Sequence, residues 1–153
     1  MNVLATSHRL RTGRHSDIGR AYLLTTVARE RQTVFAHFPH ARMAISALHD
    51  CDAAGLSFTL AFVLMPDHLR WLVQLQCGTL SGLMQRFKSR SAAAINHCRG
   101  MAGKSLWQPG FHDHALRDGQ NIRAVARYVI ANPLRAGLAE RVGDYPHWDA
   151  VWM

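Results

Sequence analysis

A chain of 153 residues, 48% hydrophobic and 18% charged, suits one domain with a core of its own and is too apolar for a disordered polyelectrolyte. Basic residues outnumber acidic ones 18 to 10, giving +8 with histidines neutral. All but Lys88 and Lys104 are arginine, so the surface attracts polyanions and offers forks for phosphate.

Three scattered cysteines, Cys51, Cys77 and Cys98, form no CxxC pair. That argues against a zinc cage or a disulfide framework, and the simplest setting is a reducing, cytoplasmic one. The first twenty residues have no apolar stretch and are not expected to be a secretory signal. The run Leu60 to Met65 falls far short of the roughly 20 residues that cross a bilayer.

Residues 1–19 carry Arg9, Arg11, Arg14, His8 and His15 among Ser, Thr and Gly, and are expected to form a basic flexible arm. No linker or repeat divides residues 20–153, which are expected to be a single domain. The β-rich segment Ala21 to Val27 predicts the first strand. Met43, Ala44, Ala47 and Leu48 at helical spacing predict a helix over His40 to Cys51 that stops near Gly55. Leu56, Phe58, Leu60, Phe62 and Leu64 alternate with Ser57, Thr59, Ala61 and Val63, a period-two strand with one strongly apolar face. Met65-Pro66-Asp67 breaks it. Leu69, Trp71, Val73 and Leu75 alternate again, so a hairpin strand follows.

Thr79 or Ser81 can cap a helix with the stripe Leu80, Leu83, Met84, Phe87, Ala94, Ile95 and Cys98, ended by Gly100 and Gly103. Leu106 to Asp118 is expected to hold a short strand between loops. Asp118 is a candidate N-cap for a helix over Gln120 to Ala131, and Asn132-Pro133 stops that helix. The order β, α, β-hairpin, α, β, α predicts an α+β fold. Its economical form is a ferredoxin-like sandwich, an antiparallel sheet with helices packed on one face.

Two pairs of side chains carry potential chemistry. His68 and Arg70 are two apart on the hairpin strand and share its face with Leu72 and Gln74. Tyr128 and Asn132 are four apart on the last helix, one turn from each other, beside the four-spaced pair Arg123 and Arg127. A phenol can attack a positioned phosphate, and an amide oxygen is a hard ligand suited to Mg²⁺ or Mn²⁺. By pattern alone a solvated strand face and a half-buried helix edge read the same way.

Taken together, the segments resemble the REP-associated tyrosine transposases, within the IS200-like transposase group of HUH single-strand nucleases. Phe62–Leu75 (FVLMPDHLRWLVQL) resembles the strand-Pro-acid/Asn-His-x-His-strand block. Leu80–Asn96 resembles the basic helix that follows it. Leu106–Asp118 (LWQPGFHDHALRD) resembles the Trp-Gln-x-x-Phe block. Arg127–Leu138 (RYVIANPLRAGL) resembles the Tyr-x-x-x-Asn-Pro-x-[Arg/Lys]-x-Gly block, and Val142–Asp149 (VGDYPHWD) the C-terminal tail. The blocks run in family order from about Arg20 to Asp149, which makes the set far more specific than any one of them.

The resemblance implies a ferredoxin-like sandwich that cuts and rejoins single-stranded DNA at short palindromic hairpins through a 5′-phosphotyrosine link. It implies Tyr128 as nucleophile, with His68 and Asn132 as ligands of a divalent ion, Mg²⁺ or Mn²⁺. Arg86, Lys88, Arg90, Arg123, Arg127 and Arg135 would touch the DNA, in contacts that position a strand without reading its sequence. Trp107 and Phe111 could stack bases or sit in the core. The partners implied are single-stranded or hairpin DNA, with the chain cytoplasmic beside the nucleoid and either a monomer or a homodimer.

One position departs from the pattern. Arg70 stands where the family has its second histidine, and a guanidinium has no lone pair for a metal. The ion could persist with fewer protein ligands, aided by Gln74, His112 or His114. Arg70 could instead clamp the phosphate in its place, or cleavage could be lost while hairpin binding remains. An RNA-binding sheet of the RRM kind is a weaker alternative, because the paired aromatic strands it needs are missing.

Overall fold

The computed structural model describes residues 16–117 and 120–152. In chain order it forms β1 (Ala21–Val27), α1 (Phe38–Ala53), β2 (Ser57–Met65), β3 (His68–Leu75), α2 (Leu80–Cys98) and β4 (His112–Ala115). Then follow α3 (Ile122–Ile130), the four-residue α4 (Asn132–Arg135) and β5 (Trp148–Ala150). The sheet order is β4-β1-β3-β2-β5, with every neighbouring pair antiparallel. The first four strands make the expected ferredoxin-like arrangement, and β5 adds an edge beside β2. Most of the arm expected over residues 1–19 lies outside the described residues. Ser16 to Gly19 are tied down: the Ser16 hydroxyl accepts from the Leu80 N–H at 3.0 Å, and the Gly19 N–H donates to the Leu75 carbonyl at 2.6 Å.

The helices do not all share one face, which corrects the expected packing. α1 and α2 cover the face carrying Phe62, Leu64, Leu69, Trp71, Val73 and Leu75, and close the main core with Ile45, Leu48, Leu83 and Phe87. α3 crosses the opposite face. There Ala126 and Ile130 meet Ala61 and Leu72, and Val129 meets Val63 and Met65. The reason lies in β2, where Ala61 through Met65 are all buried. A continuous apolar run marks a strand covered on both sides, whereas a strict period-two reading leaves Ala61 and Val63 facing water.

A register shift between Thr59 and Ala61 resets the alternation. It points Thr59 into the helix layer, where its hydroxyl donates to Asp52 at 3.0 Å and accepts from the Trp71 indole at 3.0 Å. Asp52 also accepts from the Ser57 hydroxyl and the Thr59 N–H, so one carboxylate locks the end of α1 to the start of β2. Phe58, expected on the apolar face, is left 49% exposed. Thr79 caps α2 as expected, accepting from the Gly82 N–H at 3.0 Å. Asp118 lies outside the described residues. The observed cap of α3 is Asn121, which accepts from the Ala124 N–H at 3.1 Å.

The C-terminal segment is pinned to β2 through backbone. The Tyr145 hydroxyl donates to the Leu64 carbonyl at 2.6 Å, and the Leu64 N–H donates to the His147 carbonyl at 2.8 Å. His147 is 6% exposed. Burial, with a smaller push from Arg42, lowers its pKa below 6.5, and His40 is lowered mainly by burial too. The unfolded chain therefore binds protons that the folded chain refuses, so stability is full above about pH 6.5 and falls as the pH drops below it. The urea midpoint is expected to be lower at pH 5.5 than at pH 7.5, with the gap narrowed by His147→Gln. An equal gap in both proteins would remove His147 from this account.

Candidate active site

His68 opens β3 directly after the Pro66–Asp67 turn and is 18% exposed at its side chain. Its Nδ1 lies 2.7 Å from the Asp67 carboxylate. An ionised carboxylate only accepts, so Nδ1 carries a proton, and in the neutral form of the ring the lone pair is on Nε2. Burial pushes the Asp67 pKa upward, but hydrogen bonds and charge from His68 and Arg31 outweigh it and hold the pKa below the ordinary value. Arg31 reaches the other carboxylate oxygen at 3.1 Å from a turn in which Glu30 (φ 55°) and Arg31 (φ 52°) are both left-handed. Two consecutive non-glycine residues in that region are strained, and the strain lies where it presents the guanidinium to Asp67.

The C-terminal helices meet this hairpin at Asn132, whose side-chain amide nitrogen is 3.4 Å from His68 Nε2. Asn132 belongs to α4 rather than to the helix that carries Tyr128. The backbone stays helical through Ala131 (φ −82°, ψ −1°), so Tyr128 lies one turn, about 6 Å of rise, upstream. The Arg135 guanidinium sits over the Tyr128 ring, 3.8 Å from its centroid.

Among the three tyrosines, Tyr128 alone is presented to solvent, at 55% exposure. Tyr22 is 3% exposed and accepts the Asp17 N–H at 2.8 Å. Tyr145 is held by Leu64, with its phenol pushed up to about 12 by burial.

Arg70 lies on the same sheet face as His68 and Leu72. It stands opposite Thr25 on β1 and Val63 on β2. Its Nε is shielded from solvent and has no hydrogen-bond partner among the described residues.

The donors around His68 do not fit a protein-held Mg²⁺ or Mn²⁺. On the Nε2 side they amount to one imidazole nitrogen and the Asn132 amide, with the Asp67 carboxylate engaged by Nδ1 and Arg31 and a guanidinium two residues along the strand. Among the described residues no group of three or more His, Cys, Asp or Glu is placed to hold a metal. Gln74 gives no help, since its amide nitrogen donates to the Gly19 carbonyl at 2.7 Å and its amide oxygen accepts from Gln76 at 3.2 Å.

Arg86, Lys88 and Arg90 are not brought to this site, because α2 packs on the other face of the sheet. Lys88 Nζ donates to the Gln108 and Gly110 carbonyls. Arg90 lies 3.9 Å from Asp50, and Arg86 lies near Cys51 on α1. Arg123 and Arg127 are exposed on α3, with Arg123 lying 5.8 Å from the Trp152 ring. Trp107 and Phe111 are core residues. Trp107 stacks on Phe35 at 5.0 Å and donates to Ser91 at 2.9 Å. Asp67 went unassigned in the sequence, although its place immediately before His68 was the available signal.

Residues 20–132 match the protein-family model described as transposase IS200 like. Over 88 residues the chain is 30% identical to the REP-associated tyrosine transposase of Escherichia coli (strain K12), a match that covers 56% of this chain and 50% of that one. The chain therefore spans about half the length of this curated relative. A solved structure of a REP-associated tyrosine transposase bound to a REP hairpin superposes with a TM-score of 0.73 at 24% identity. The match covers 88% of this chain and 79% of that one and shows a shared fold. No helix among the described residues is long and apolar enough to cross a membrane.

Proposed function

We propose that this chain, which belongs to the IS200-like transposase family, breaks and rejoins single-stranded DNA beside a hairpin, with Tyr128 as the nucleophile. The observation that carries this reading is the contact of Asn132 with His68. It couples the only exposed tyrosine, through its own helical segment, to an oriented imidazole on the central hairpin.

In the proposed step the Tyr128 phenol oxygen attacks the scissile phosphorus. The bond from phosphorus to the 3′ oxygen breaks, leaving a 5′-phosphotyrosine and a free 3′-hydroxyl. His68, its tautomer fixed by Asp67, takes the phenol proton at Nε2 and returns it to the leaving oxygen. Arg135, stacked on the phenol, and Arg70 supply positive charge to the phosphate oxygens. No metal step enters the mechanism. Rejoining is the reverse attack by a 3′-hydroxyl on the phosphotyrosine.

Arg70 favours a second reading, in which the chain binds hairpin DNA without cutting it. Incubating the protein with a hairpin that carries single-stranded flanks, with and without EDTA, separates the two. A denaturation-resistant protein–DNA adduct in both conditions supports the first reading. Tight, salt-sensitive binding with no adduct under any divalent ion supports the second.

Asp67→Asn tests the orienting role. An amide can present N–H to the ring and so favour the wrong tautomer. Adduct formation is expected to fall by at least 10- to 100-fold, on the scale of lost orienting partners, with DNA affinity changed less than twofold. An unchanged rate would make the Asp67 contact purely structural.

A further inference from the structure

We infer that the sheet face beside the proposed site carries a seat for the single strand flanking the cut, built by Arg70, Thr25 and His112. The inference rests on the strand-processing reading above and adds where the strand would lie.

The argument starts from register. Arg70 on β3 stands opposite Thr25 on β1, and Thr25 opposite His112 on β4. Directly opposed residues share a face, so the three form one row across three strands, about 10 Å from end to end. α3 covers the far part of this face, where Val129 and Ile130 seal Ala61, Val63, Met65 and Leu72. Over β4 the row runs out to solvent. His112 and His114 are exposed, while Ala115, on the opposite face, packs against the main core.

The chemistry of the row is a guanidinium, a hydroxyl and an imidazole, all able to donate. The Arg70 Nε is sequestered without a partner among the described residues. Asp113, the carboxylate of β4, pairs with Leu24 and belongs to the other face. A half-buried guanidinium whose Nε lacks a partner among the described residues, leading to exposed donors on a chain of net charge +8, is complementary to the phosphodiesters of a strand entering from the β4 edge. The imidazole also offers a ring on which a base can stack.

The test uses the Tyr128→Phe protein, which binds without cutting, and two ligands: a hairpin with single-stranded flanks and the same hairpin trimmed to its duplex. His112→Ala is expected to weaken the flanked ligand roughly tenfold, the effect of one hydrogen bond to a charged group, and the trimmed one less than twofold. Thr25→Val should show the same selectivity with a smaller loss. Arg70→Gln should reduce the salt slope for the flanked ligand by about 0.7, one single-strand phosphate.

Equal losses on both ligands, or none on either, overturn the inference. So does a dimer in light scattering that His112→Ala dissociates without any flank effect, which would make the β4 edge a contact between copies. Flank selectivity in a protein whose wild type forms no adduct would uphold the seat while refuting the cleavage reading.

Discussion

Tyr128→Phe is expected to eliminate the covalent protein–DNA adduct, a loss of at least about 10³-fold, while hairpin affinity stays within twofold. The size follows from chemistry. Removing the phenol oxygen removes the atom that bonds to phosphorus, and no neighbouring group replaces it. The neutrality of binding and folding follows from placement. Tyr128 is 55% exposed, with the Arg135 guanidinium over its ring. Phenylalanine keeps that stacking face, so stability should change by less than about 0.5 kcal/mol, as for other surface changes. Tyr22 and Tyr145 cannot substitute, because one is buried in the main core with its hydroxyl held by the Asp17 N–H and the other is fixed to the Leu64 carbonyl. An adduct that survives in the variant would displace Tyr128 from the mechanism.

Arg70→Ala is expected to slow adduct formation by about 10²- to 10³-fold, the scale of losing one charge-stabilising donor at a phosphate. The companion variant Arg70→His separates a working clamp from a degenerate metal site. A second imidazole two residues from His68 on the same face supplies the lone pair the wild type lacks. Mn²⁺ titration by calorimetry is expected to show binding to Arg70→His and none to the wild type. Wild-type adduct formation is expected to persist in EDTA, whereas any activity of Arg70→His should need the ion. If Arg70→His is far more active than wild type, Arg70 marks decay and the chain is a binding protein. If wild-type activity vanishes in EDTA, a divalent ion is present despite the donor set and the clamp is wrong.

The β2–β3 hairpin was legible because Leu69, Trp71, Val73 and Leu75 alternate cleanly and Pro66-Asp67 favours a turn, whereas β5 carried no such pattern. The shared face of His68 and Arg70 followed from the same alternation. The opposite-face packing of α3 was hidden because Ala61 and Val63 are small enough to pass for a tolerated outer face, when they are in fact the floor under Ala126 and Val129.

The bulge at Thr59 was equally invisible. It depends on the Thr59 hydroxyl donating to Asp52 while accepting from Trp71, contacts between elements distant in sequence. Lys88 was expected on DNA through the resemblance of its helix to a basic helix, and nothing in the sequence signals that its ammonium also donates to two loop carbonyls. Asp67 reads as a turn residue until the imidazole beside it is seen to need a fixed tautomer.

The most direct measurement is mass spectrometry of the trapped adduct after nuclease and trypsin digestion. Trypsin should release Tyr128–Arg135 as one peptide, and this account predicts a 5′-linked nucleotide phosphate on it at Tyr128. A nucleotide on any other peptide, or tight hairpin binding that leaves every tyrosine unmodified, would contradict it.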